Sequence, residues 1–272
     1  MKLPLITILV NTSDSFEDCW PPFFKLFSEY WPNCNYPILL NTEFKEFQYP
    51  NLNIKSAMSN SDSPDTRLTW SSCLINAIHQ IQTPIVLYLQ EDYYLDAKVN
   101  IELIEELAEL LEQNEQIKYI GLTDSGNYPP FKPFEKDHRL WEVSKNAKYR
   151  ISTQAGLWKK DTLISYLKPD ENGWMFEIFG SIRAKKRNDL FLTVNRELYN
   201  KKENPVFPYI LTGIIKGKWH VAIPELFTKH QIQVDFSKRG FYIEKSYLLR
   251  KIETFKMLLR SPLKFYFGIT GK

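Results

Sequence analysis

Short apolar runs recur along the first half of the chain, and segments of helical periodicity separate them. The runs are "LITILVNT" (5–12), "YPILLNTE" (36–43), a weaker "LNIKSAM" (52–58), "PIVLYLQED" (84–92) and "KYIGLTD" (118–124). Near-continuous hydrophobicity over five or six residues marks strands buried on both faces, as in parallel sheets. Between them, "EDCWPPFFKLFSEYW" (17–31), "TRLTWSSCLINAIHQI" (66–81) and "NIELIEELAELLEQN" (100–114) read as helices. The last is the clearest: Asn100 is placed to cap it, and Ile101, Ile104, Leu107 and Leu111 form one apolar stripe. This alternation predicts an α/β fold, a Rossmann-like, mainly parallel sheet flanked by helices. Ligands of such sheets bind beyond the C-terminal strand ends.

The 272 residues are enough for one large core. Lys and Arg number 35 against 32 Asp and Glu, a balance that argues against a nucleic-acid partner. Cys19, Cys34 and Cys73 lack CxxC spacing and are odd in number, which indicates neither a zinc knuckle nor a disulfide framework and suits a reducing cytoplasm. "MKLPLITILV" reads as a first strand rather than a leader, and no eighteen-residue apolar window predicts a membrane span. From Gly126 the pattern loosens into aromatic loops. The expected organisation is a catalytic domain over 1–236, divided into a nucleotide-binding half (1–125) and an acceptor-side half (126–236), with a helical extension over 237–272. Within that extension, residues 245–264 are basic and amphipathic, fitting either an anionic membrane interface or a terminal helix packed on the core.

The run "PIVLYLQED" ends a buried strand on Gln90, Glu91 and Asp92. Adjacent carboxylates at that position suit a hard divalent cation bridging diphosphate oxygens. With the order of strands and helices before it, this element resembles that of the GT-A-fold glycosyltransferases, which use nucleotide-sugar donors and carry a short acidic motif after a buried strand. The resemblance spans about 5–226. It implies Asp92 as ligand of Mn2+ or Mg2+, with Glu91 facing the sugar or ribose. Gln90 stands where an acid is usual, and some members of the fold neutralise the diphosphate with basic side chains instead of a metal.

The resemblance further implies donor contacts from Asn11, Thr12, Ser13 and Asp14 after the first strand, from Glu43 after the second, and from Gln90. Arg67, at the head of the second helix, is placed to meet phosphate. Sugar transfer needs a base at the acceptor hydroxyl, and "ENGWMFEIFGS" offers Glu177, with Glu171 second. Trp174 is shaped to stack on a sugar, while "TQAGLW" offers Gln154, Ala155 and Gly156 to line the acceptor side, Gly156 alternatively serving backbone geometry. His220 is the one histidine kept as a candidate for the metal site. The expected activity is inverting transfer of a sugar to a glycan or lipid-linked saccharide of the cell surface, at the inner face of the plasma membrane. A catalytically silent sugar-binding protein of the same fold and a nucleotidyltransferase are the alternatives; "NTSDSFED" lacks the glycine and lysine of the latter's phosphate loop.

Overall fold

The structure is a computed structural model and describes residues 4–244. Two compact units divide the chain, Met1–Leu211 and Thr212–Lys272. Most of the extension expected over 237–272, from 245 onward, lies outside the described residues.

The first unit contains strands β1 (Ile6–Asn11), β2 (Ile38–Asn41), β3 (Ile54–Ser56), β4 (Ile85–Gln90), β5 (Ile117–Gly121), β6 (Phe131–Pro133), β7 (Leu140–Val143), β8 (Gly156–Lys159) and β9 (Leu190–Val194). Its helices are α1 (Trp20–Tyr30), α2 (Trp70–His79), α3 (Ile101–Gln113), α4 (Lys160–Tyr166) and α5 (Gly173–Lys185). Among the described residues the nine strands form one sheet in the order β3-β2-β1-β4-β8-β5-β9-β7-β6. β3, β2, β1 and β4 are parallel neighbours, as are β5 and β9, while β8 runs antiparallel between β4 and β5. The mainly parallel, helix-flanked sheet of the sequence reading is thus present.

Two features depart from that reading. The aromatic stretch after Gly126 extends the sheet through β6 and β7 rather than forming loops alone. In addition, β8 enters the centre of the sheet from the acceptor-side half, so the two expected halves share one core.

Alternation explains the layering. Leu9, Val86, Tyr88, Tyr119, Trp158 and Phe191 share a buried cluster with Leu74 and Ile78 of α2, Leu163 and Tyr166 of α4, and Phe176 and Ala184 of α5. Each of the larger side chains contributes about 1.5–3 kcal/mol on leaving water. Helix α3 packs against β5 and β8 and starts as predicted, the Asn100 side chain accepting from the Leu103 amide at 3.1 Å.

The second unit holds the hairpin β10 (Ile214–Ile215) and β11 (Lys218–Trp219) followed by α6 (Ile223–Lys229).

Candidate active site

The C-terminal ends of β2, β1 and β4 carry three carboxamides side by side, because the register pairs Asn11 with both Asn41 and Gln90. They are linked: Asn41 donates to Asn11 Oδ1 at 2.7 Å, Asn11 donates to the Tyr88 hydroxyl at 3.1 Å, and Gln90 donates to the same hydroxyl at 3.3 Å. Asn11, expected to contact the donor, is almost wholly buried within this row. Gln90 is only half-buried and ends this row.

Beyond the row, the loop after β1 is clasped to the loop after β2. Asp14 accepts from the amides of Glu43 and Phe44 at 2.9 and 3.0 Å, and its own amide donates to Glu43 Oε2 at 3.1 Å. Thr12 accepts from the Trp20 indole at 2.9 Å, and Ser13 pairs with Ser15 at 2.7 Å. Asp14 therefore shapes this end through backbone amides. The exposed Phe44 ring, which sequence reasoning missed, stands at the clasp. Glu43, Asp14 and Arg67 all act electrostatically on the buried Cys73 thiol of α2, whose pKa burial raises. Arg67, although exposed, thus belongs to the same neighbourhood as the two acids.

Glu91 and Asp92 follow β4 and are buried, at 8% and 5% exposure. Ordinary solvated loop acids do not sit this deep. Next to them, Tyr93 stacks on Tyr209 with ring centroids 4.4 Å apart and donates its hydroxyl to the Thr153 carbonyl at 2.8 Å.

Thr153 is the hinge of the arrangement. Its amide and its hydroxyl both donate to Glu177 Oε1, at 2.8 and 2.9 Å. The segment 150–153 runs antiparallel along α5 with two further anchors, the Ile151 amide on Ser181 Oγ at 2.9 Å and Arg150 on the Ala184 carbonyl at 3.0 Å. Glu177, Ser181 and Ala184 lie four and three residues apart, on one helix face. Burial pushes the Glu177 carboxyl above its ordinary value, and the two Thr153 bonds oppose this only in part. Among the described residues Oε2 receives no hydrogen bond.

Glu171, the second candidate for a base, is held differently. It accepts from both terminal guanidinium nitrogens of Arg183, at 2.6 and 2.7 Å, with Glu171 buried and Arg183 largely so. Both of its oxygens are thus taken up by the guanidinium, which leaves neither aimed at a substrate hydroxyl. Trp174 is half-buried and lies near the Tyr149 hydroxyl, and the Tyr149 ring centroid lies 5.4 Å from that of the exposed Tyr128. These three rings form an aromatic wall of which the sequence reading found only the first.

The expected acceptor lining is largely internal. Ala155 and Gly156 are buried where the chain enters β8, and a Cβ on Gly156 would lie 2.5 Å from Tyr119 Cε2. Gly156 is therefore a packing requirement. Only Gln154 reaches the surface of this edge, and its Oε1 accepts from Tyr209 at 2.6 Å. In the second unit, His220 accepts from the Ala222 amide through Nδ1 at 3.1 Å.

No family model matches the chain, and no curated protein does. Solved structures that it resembles include S. aureus TarS residues 1–349, at 12% identity over 87% of this chain and 68% of that one, with a TM-score of 0.46. The same fragment in complex with UDP is matched at 12% identity over 71% of this chain and 62% of that one, with a TM-score of 0.42. Glucosyl-3-phosphoglycerate synthase from Mycobacterium tuberculosis, in complex with Mn2+ and UDP-glucose, is matched at 11% identity over 85% of this chain and 80% of that one, with a TM-score of 0.42. This chain thus spans between 62% and 80% of these three structures.

Proposed function

We propose that this chain is a GT-A-like glycosyltransferase, with Glu177 the base. One observation carries the reading: a half-buried carboxylate of raised pKa, fixed through one oxygen and open at the other, tied through Thr153 and Tyr93 to the acid pair at the end of β4. A base raised toward neutrality and held by its non-reacting oxygen is what proton removal from a sugar hydroxyl needs. The acceptor oxygen attacks the anomeric carbon, forming the new C–O bond. Its proton passes to Glu177 Oε2, and the bond to the diphosphate breaks with its electron pair on the leaving oxygen. Inverting transfer is part of this proposal, and the anomeric configuration of the product tests it.

Glu91 and Asp92 face the diphosphate and sugar in this reading. Their carboxylates have the hard-oxygen chemistry that Mn2+ or Mg2+ prefers. Among the described residues no group of three or more His, Cys, Asp or Glu gathers around them, so the pair fits a cation completed by substrate oxygens and not one caged by protein alone. Such a cation would neutralise charge on the departing diphosphate. Arg67 is the basic side chain placed to assist. Gln90, Thr12, Ser13 and the Asp14–Glu43 clasp border the nucleoside, and the Trp174–Tyr149–Tyr128 wall borders the acceptor, a glycan or lipid-linked saccharide of the cell surface. No helix of the described residues is long and apolar enough to cross a membrane. Attachment to the inner face of the membrane through 245–264 belongs to the same proposal.

Thermal unfolding with UDP, GDP, dTDP, CMP and ADP, each with and without Mn2+, is the test. A ligand at a hundredfold its Kd adds about 2.7 kcal/mol, a shift of roughly 5 °C or more for a chain of this size. One responding nucleotide, followed by turnover of its sugar conjugate, supports the transferase. Binding without turnover identifies a silent binding protein, the alternative that Gln90 favours. No response from any nucleotide overturns the donor site.

A further inference from the structure

The contacts around Glu177 carry an inference that rests on the transferase reading and deepens it. We infer that Thr153 is a positioning residue, which sets the charge and orientation of Glu177 and joins it to the loop of the acid pair. Three of its groups are committed. The amide and Oγ1 hold Glu177 Oε1 at 2.8 and 2.9 Å, and the carbonyl receives the Tyr93 hydroxyl at 2.8 Å. Tyr93 is buried and directly follows Asp92, so any shift of the acids on binding a diphosphate reaches Glu177 through two hydrogen-bonded steps.

The groups facing Glu177 sharpen the role. They are Tyr88 of β4, Tyr93 of the following loop, Tyr119 of β5 and Tyr149 ahead of the anchored segment. All four are neutral near pH 7, and the negative charge of Glu177 further disfavours their ionisation. The Thr153 bonds are accordingly the specific support that the charged form of Glu177 has against burial. The two other anchors, Ile151 on Ser181 and Arg150 on Ala184, do not involve Thr153's side chain, so the segment stays on α5 when Oγ1 is removed.

Thr153→Val removes the hydroxyl and keeps the amide, and Thr153→Ser restores the hydroxyl. The readouts are the Glu177 carboxyl titration, followed by carbon NMR on glutamate-labelled protein against a Glu177→Gln reference, and the pH dependence of turnover. Losing one hydrogen bond to a charged group corresponds to about one pH unit. In Thr153→Val both the Glu177 titration and the acid limb of turnover move up by that amount, and in Thr153→Ser both return. An unmoved titration in a Thr153→Val protein that unfolds at the parent temperature overturns the inference. A titration that moves in a protein with no turnover on any nucleotide sugar overturns the transferase reading, and with it Thr153's part in the reaction.

Discussion

Replacing Glu177 with Gln separates chemistry from folding more cleanly than any other change in the site. The amide oxygen of Gln accepts from the Thr153 amide and hydroxyl just as Oε1 does, so the anchor on α5 survives. What disappears is the ability to take a proton. General-base catalysis contributes roughly 10²–10⁴-fold, which corresponds to about 2.7–5.5 kcal/mol of barrier, and turnover falls by that factor while donor affinity stays within a fewfold. Stability moves the other way. The folded pKa of Glu177 lies above its ordinary 4.5, so the stability it contributes is fully present below about pH 4.5 and declines as pH rises through the raised value. The Gln variant has no such decline. Thermal midpoints of the two proteins therefore coincide near pH 4 and diverge in favour of Glu177→Gln by pH 7. Turnover at pH 7, a nucleotide titration and melts from pH 4 to 8 provide the data. Turnover within tenfold of the parent would refute the base assignment. A melting difference that does not change with pH would refute the burial argument.

Three further expectations concern the frame around this carboxylate. Gly156→Ala drives a methyl against Tyr119 at 2.5 Å, costing about 1–3 kcal/mol and lowering the midpoint by several degrees; strictly additive effects in a cycle with Tyr119→Leu would show that the ring is not the obstacle. Glu171→Ala leaves Arg183 buried without its carboxylate, a loss of about 3–5 kcal/mol in denaturant unfolding, yet turnover per folded molecule persists. A folded but inactive Glu171→Ala protein would make that residue the base instead. Asp14→Ala frees the amides of Glu43 and Phe44, and partial exposure limits the stability loss to about 1–2 kcal/mol; nucleotide affinity drops severalfold by titration calorimetry, and unchanged affinity would remove the clasp from the donor site.

Much of the frame was written in local patterns. The run 85–90 is apolar until its last residue, so burial on both faces and a strand end at Gln90 follow from hydrophobic burial alone, and the structure has both. Helix α3 is equally local, since a capping Asn and a stripe repeating every three or four residues define it within one segment. Glu91 and Asp92 could be placed at a strand end for the same reason.

Only the tertiary structure decided which glutamate stays open. Glu171 and Glu177 have similar sequence surroundings, but Arg183 folds back along α5 onto the first while Thr153, from a segment twenty-four positions away, holds the second by one oxygen. The sites of Asn11, Ala155 and Gly156 were likewise set at a distance: strand register buries an amide row across β2, β1 and β4, and the antiparallel insertion of β8 presses Gly156 against Tyr119. Periodicity reports which face of an element is buried. It does not report which partner the fold brings to that face, and for a carboxylate the partner fixes whether it is a neutralised strut or a base.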